Sequence, residues 1–138
     1  MARYLADTSA WSRSHATEKT SARWGTLLTL SEIALAPPVR LELLYSTRGP
    51  ADYTRTSAAL DRLPQLPLTE RDVRRAADVQ AALGERAQHR GPKPVDLMIA
   101  AVAERHELVV LHYDRHFEAI ARVTGQPTEW IARRGSLD

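Results

Sequence analysis

The apolar positions of the chain change rhythm repeatedly, and those changes predict its elements. Residues 3–6 end in the apolar run Tyr4-Leu5-Ala6, which lacks helical spacing and reads as a short buried strand. Over residues 19–30, Trp24, Leu27 and Leu28, with Ser31 beyond them, recur at three- and four-residue steps and predict a helix. The run EIALA at 32–36 reads as a second strand, ended by Pro37-Pro38. A helix is expected over 39–46, closed by Gly49-Pro50, and another over 51–63. The spaced prolines of LPQLPL then read as an extended connector.

Thr69 opens a long amphipathic helix, its hydroxyl capping the first turn and Asp72 standing in for the usual capping-box acid. Val73, Ala76, Ala77, Gln80, Leu83 and Ala87 are its expected buried stripe, with Arg71, Arg74, Arg75 and Asp78 directed elsewhere. Gly91-Pro92-Lys93-Pro94 breaks the chain. Residues 95–105 then form a helix apolar almost all round, and 107–113 hold LVVL, a continuous run of parallel-strand type. A last amphipathic helix is expected over 115–123 and an edge strand over 127–131. Helices alternating with short apolar strands predict an α/β fold with a small, mostly parallel sheet. With no internal repeat or low-complexity tract, the reading is one domain over 1–138.

Composition narrows the chemistry. The chain has 138 residues and no cysteine, which excludes disulfides and Cys-based zinc sites. No apolar run approaches the roughly 20 residues of a membrane span, and the N-terminus lacks a signal-peptide layout. A cytoplasmic protein with no membrane partner is therefore expected. Net charge is only +2, but Lys19 and Lys93 are the only lysines among 19 basic residues. Arginine offers phosphate a planar fork, which fits a polyanionic partner; solvated helix faces explain the same enrichment.

Four carboxylates stand where surface acids usually do not. Asp7 ends the first strand, Glu42 lies between Leu41 and Leu43, Asp96 opens the most apolar helix, and Asp114 follows LVVLHY. Each has a structural reading of its own. Asp7 and Asp114 suit helix N-caps, Asp96 answers a helix dipole, and Glu42 reaches water from a half-buried helix. Together they read differently. Ligands of open parallel sheets collect at the carboxyl ends of strands, where Asp7 and Asp114 lie, and helix N-termini bearing Glu42 and Asp96 are expected to return there. Four converging acids repel one another unless a cation sits among them. Hard oxygen ligands favour Mg²⁺ or Mn²⁺, an ion suited to phosphodiester hydrolysis.

The stretches ADTSAW, PPVRLELLYS, GPKPVDLMIAAVAERH and VLHYDRHFEAIA resemble the PIN-domain ribonucleases, and more narrowly the VapC-type toxins of bacterial toxin–antitoxin pairs. The closing GQPTEWIARRGSLD is similar to the tail of an actinobacterial subgroup. The resemblance implies a PIN-like fold and an Mg²⁺- or Mn²⁺-dependent endoribonuclease. Its metal-binding and catalytic acids fall on Asp7, Glu42, Asp96 and Asp114. It further implies a VapB-type antitoxin partner, a homodimer, and a structured RNA substrate such as tRNA or rRNA whose cleavage stops translation.

Supporting roles remain open at this stage. Thr8 or Ser9 can hold a ligating carboxylate or simply cap a helix; Arg13 can reach RNA phosphate or stand exposed. Many members of the resembled family carry a further acid where this chain has His116. His112, Asp114 and His116 alternate, and an extended chain would aim all three one way; a helix starting near Arg115 would break that pattern. Trp11 and Trp130 suit core, dimer interface or base stacking, whereas Trp24 belongs to the core. The alternative function is a binding module that keeps the fold and the partner groove but cleaves poorly.

Overall fold

The computed structural model describes residues 2–138. Four strands form an all-parallel sheet in the order β2-β1-β3-β4. They are β1 (Tyr4–Ala6), β2 (Ile33–Ala34), β3 (Val109–His112) and β4 (Thr128–Trp130). Seven helices connect and cover them: α1 (Thr8–Arg13), α2 (Glu18–Thr29), α3 (Pro37–Tyr45), α4 (Pro50–Leu60), α5 (Glu70–Glu85), α6 (Pro94–Arg105) and α7 (His116–Thr124).

Every strand and helix expected from the sequence is present, with boundaries shifted by one to three residues. Three shifts have a common cause. Pro37, Pro50 and Pro94 lie inside the first turns of α3, α4 and α6 rather than before them. The amide hydrogen that proline lacks would have no intrahelical partner there anyway. Glu42 is corrected accordingly: it stands in the second turn of α3, not at the helix N-terminus.

Side chains alternate across the sheet, as a two-residue period requires. Leu5, Ala34 and Val110 face the layer of α3 to α7, meeting Val39, Leu83, Ile99 and Phe117. Tyr4, Ala6 and Leu111 face the opposite layer, where Trp24 and Leu27 of α2 meet Ile131. Trp24 is fully buried, as expected.

The stripe expected on α5 is rotated. Its buried residues are Asp72, Ala76, Val79 and Leu83, whereas Val73 is 46% exposed and Ala77, Gln80 and Ala87 face solvent. Asp72 sets that rotation. Its carboxylate accepts hydrogen bonds from the Thr69 amide and hydroxyl, closing the expected capping box, and pairs with both Nε and Nη2 of Arg105. Nearby, Arg75 forms a two-pronged pair with Glu104, tying α5 to α6 a second time.

Candidate active site

The acids are gathered at the carboxyl end of the sheet. β1 delivers Asp7 directly, its carboxylate oxygen accepting the Ser9 amide at 3.0 Å as the N-cap of α1. β3 delivers Asp114 two residues past its end, where the carboxylate accepts the His116 amide at 2.9 Å and starts α7. Asp96 lies in the first turn of α6 and accepts the Lys93 amide at 2.9 Å. Glu42 arrives from α3 and accepts a 2.8 Å hydrogen bond from the Thr8 hydroxyl. Asp7 is the N-cap of α1, Asp96 stands in the first turn of α6, and Asp114 lies one residue before Arg115, the N-cap of α7.

All four acids line one cleft of about 500 Å³, together with Thr8, Ser9, Ser12 and Lys93. Asp7 and Asp96 are almost fully buried. Burial raises the carboxyl of Asp96, the Lys93 amide pulls it back, and the charges of Asp7 and Asp114 push it up again, to about 6. Asp7 is raised by burial too, opposed by hydrogen bonding from Ser9 and reinforced by Glu42. A carboxylate cluster in this condition favours a cation. Among the described residues, no three His, Cys, Asp or Glu side chains stand in ready metal-ligating geometry.

Ser9 ties the two strand ends together, its hydroxyl accepting the Tyr113 amide at 2.9 Å. Lys93 is the cleft's one basic wall residue, and it, like Ser12, escaped the sequence reading. Its signal was present: one of two lysines, placed between two prolines immediately before an acid-bearing helix. Arg13 and His116 do not line the cleft. Arg13 lies over the Tyr113 ring, its guanidinium carbon 5.3 Å from the centroid. The His116 imidazole packs against Gly91, where an added Cβ would come within 3.2 Å of it. His112 is wholly buried between Phe117 and Trp130, and its Nδ1 accepts the Asp114 amide. Burial lowers it to about 4, against the raising charges of Asp114 and Glu118. The alternating His-Asp-His arrangement is therefore broken where α7 begins.

Strand-end and helix-start carboxylates over the carboxyl edge of a parallel sheet define an α/β domain with an acid-lined cleft. The PIN-domain family model matches residues 4–123. Ribonuclease VapC18 of Mycobacterium tuberculosis is 40% identical over 136 residues, covering 97% of this chain and 98% of that protein. Ribonuclease VapC51 of the same organism is 46% identical over 98 residues, 71% of each chain. Among solved structures, the DNA-bound VapBC of Salmonella typhimurium aligns with a TM-score of 0.73 and 23% identity, covering 96% of this chain and 100% of that one. The chain belongs to the PIN-domain family, and its curated relatives there are VapC ribonucleases.

Proposed function

We propose that the chain is a divalent-metal-dependent endoribonuclease and the toxin of a toxin–antitoxin pair. It hydrolyses phosphodiester bonds in structured cellular RNA, tRNA or rRNA, and so inhibits translation. The observation that carries this reading is the convergence of Asp7, Glu42, Asp96 and Asp114 on one cleft in a chain whose relatives are named ribonucleases. Those four residues would hold Mg²⁺ or Mn²⁺, which when bound supplies positive charge to neutralise the scissile phosphate and the leaving oxygen.

The chain's own side chains do the rest. Asp7 and Asp96 orient through the amides of Ser9 and Lys93, and Thr8 steadies Glu42. One of the four carboxylates takes the proton of the attacking water as general base. Attack at phosphorus with departure of the 3′ oxygen leaves a 5′-phosphate and a 3′-hydroxyl.

The Salmonella neighbour is a VapBC pair, and a VapB-type antitoxin is the partner proposed here, with a homodimer as the assembly. Leu41 and Tyr45 on α3, 67% and 91% exposed beside Thr8 and Glu42, give such protein partners an apolar surface at the cleft's edge. The test is cleavage of total tRNA and rRNA with Mg²⁺ or Mn²⁺ against EDTA. Metal-dependent cuts, abolished in a folded Asp96→Asn protein, are the expected result. Equal cutting by that variant would overturn the site assignment, and a folded wild type that cuts no RNA would favour the binding-module alternative.

A further inference from the structure

A second cleft among the described residues is roomier than the acidic one. It holds about 800 Å³ between the N-terminal half of α2 and the segment following β4. Its charged walls are Lys19, Arg23 and Arg133 against the single carboxylate Glu129. Glu129 is already paired with Arg23, at 3.2 Å, and Arg23 also donates to the carbonyls of Trp130 and Ile131. Arg23 thus fixes the wall, while Lys19 and Arg133 are exposed and make no ion pair among the described residues. A basic cleft with its only acid neutralised calls for an anion.

A third hollow, of about 290 Å³, lies between this cleft and the acidic one in its lining residues. It shares Asp114 with the acidic cleft and Trp130 with the basic one. Arg115 and Arg134 stand on its walls. Arg134 lies over the Trp130 ring and pairs with Glu118, while the hollow's own Asp138 accepts the Tyr113 hydroxyl. Arg115, exposed, makes no ion pair among the described residues. Trp130 is committed elsewhere: its indole N–H bonds Glu118 and its ring packs on His112 and Tyr113. This track of walls offers charge suited to phosphates, while the Trp130 ring is engaged by its neighbours.

We propose that the basic cleft between α2 and the C-terminal segment binds RNA phosphates flanking the scissile bond, with the strand running past Arg115 from the acidic cleft. An acidic partner peptide would satisfy the same charges. RNA is favoured because the track begins at the wall of the acidic cleft. The acidic cleft offers Lys93 and a bound cation to the scissile phosphate alone, and the flanking phosphates need positive charge from beyond its walls. The inference rests on the nuclease reading for its starting point, and its test separates the two.

Lys19→Ala/Arg133→Ala and Arg115→Ala are made in the Asp96→Asn background, with Arg71→Ala on the exposed face of α5 as control. Binding of a labelled RNA hairpin with single-stranded flanks is followed by fluorescence anisotropy across a salt series. The double variant is expected to bind about 10-fold more weakly, its salt slope flattened by about 0.7–0.9 for each phosphate no longer neutralised. Arg115→Ala should shift in the same direction by less, and Arg71→Ala should match the parent. In the active background, the loss should fall on KM and not on kcat. Unchanged RNA affinity in the double variant overturns the inference, as does an equal loss in Arg71→Ala. Loss of binding to a poly-glutamate peptide with RNA affinity intact would assign the cleft to an acidic protein segment instead. If the wild type cuts no RNA yet the double variant still loses RNA binding, the nuclease reading fails and the phosphate cleft stands.

Discussion

Thr8 shows how one hydroxyl can separate function from stability. It stands half-exposed at the start of α1, and its hydrogen bond to Glu42 crosses 34 residues of sequence. A partly solvated hydrogen bond contributes about 1 kcal/mol or less, whereas a residue that orients a ligating carboxylate typically matters 10- to 100-fold in metal affinity or activity. We predict that Thr8→Val melts within a few degrees of the parent yet cleaves RNA at least about 10-fold more slowly, with Thr8→Ser restoring the rate. Parallel melting curves and cleavage rates check this. The sequence could not decide between cap and support for Thr8 and Ser9. The local frame is visible in ADTSAW, but the partners, Glu42 and the Tyr113 amide, arrive only with the tertiary fold.

At the scale of elements, the helix ends carry their own strain. α2, α5 and α6 each terminate through a left-handed residue that is not glycine: Ser31, Ala87 and Glu107, with φ of 55°, 55° and 57°. In each, an amide reaches back five residues, from Glu32 to Leu27, Gln88 to Leu83 and Leu108 to Ala103. Glycine normally takes that position because a Cβ there costs about 1–2 kcal/mol. Ala87→Gly and Glu107→Gly are therefore expected to stabilise the protein by about 0.5–1 kcal/mol each, after allowing for the greater entropy of glycine in the unfolded chain. Denaturant unfolding checks the sign. Asp72 misled the α5 reading. In the sequence Asp72 has a capping role alone, and its pair with Arg105, 33 residues away, is what turns it inward. The Arg105 guanidinium and the Thr69 hydrogen bonds overcome burial and hold that carboxyl below its ordinary range. Its contribution is then present at neutral pH and lost as pH falls through the low folded value. Asp72→Ala should cost about 3 kcal/mol at pH 7, with the difference shrinking on acidification below about pH 4.

Across the whole molecule, the fold was legible because strand runs, helix periods and proline breaks agree with one another. The four acids were legible because each sits where an element starts or ends, or breaks an apolar stripe. The basic cleft was not, since its walls come from α2 and from a segment more than 100 residues away. Nor did the sequence show how strongly burial, reinforced by the charges of Asp7 and Asp114, disfavours the ionised form of Asp96. That cost yields the last prediction. A carboxyl whose folded value is raised binds more protons folded than unfolded over the interval between the two values. Stability therefore falls as pH rises from about 4 through about 6 and stays lower above it. Asp96→Asn removes the charge and keeps an oxygen for the Lys93 amide. The apo variant should accordingly be more stable than the parent at pH 7, by about 1–2 kcal/mol once solvent screening is allowed for. The gain should vanish below about pH 4, where the parent's carboxyl is protonated in both states. Adding Mn²⁺ at pH 7 should raise the melting temperature of the parent and not that of the variant, narrowing or reversing the gap. Denaturation with and without the ion, at pH 4 and pH 7, tests both halves. A variant less stable than the apo parent at pH 7 would mean that burial and the neighbouring charges do not disfavour the ionised Asp96.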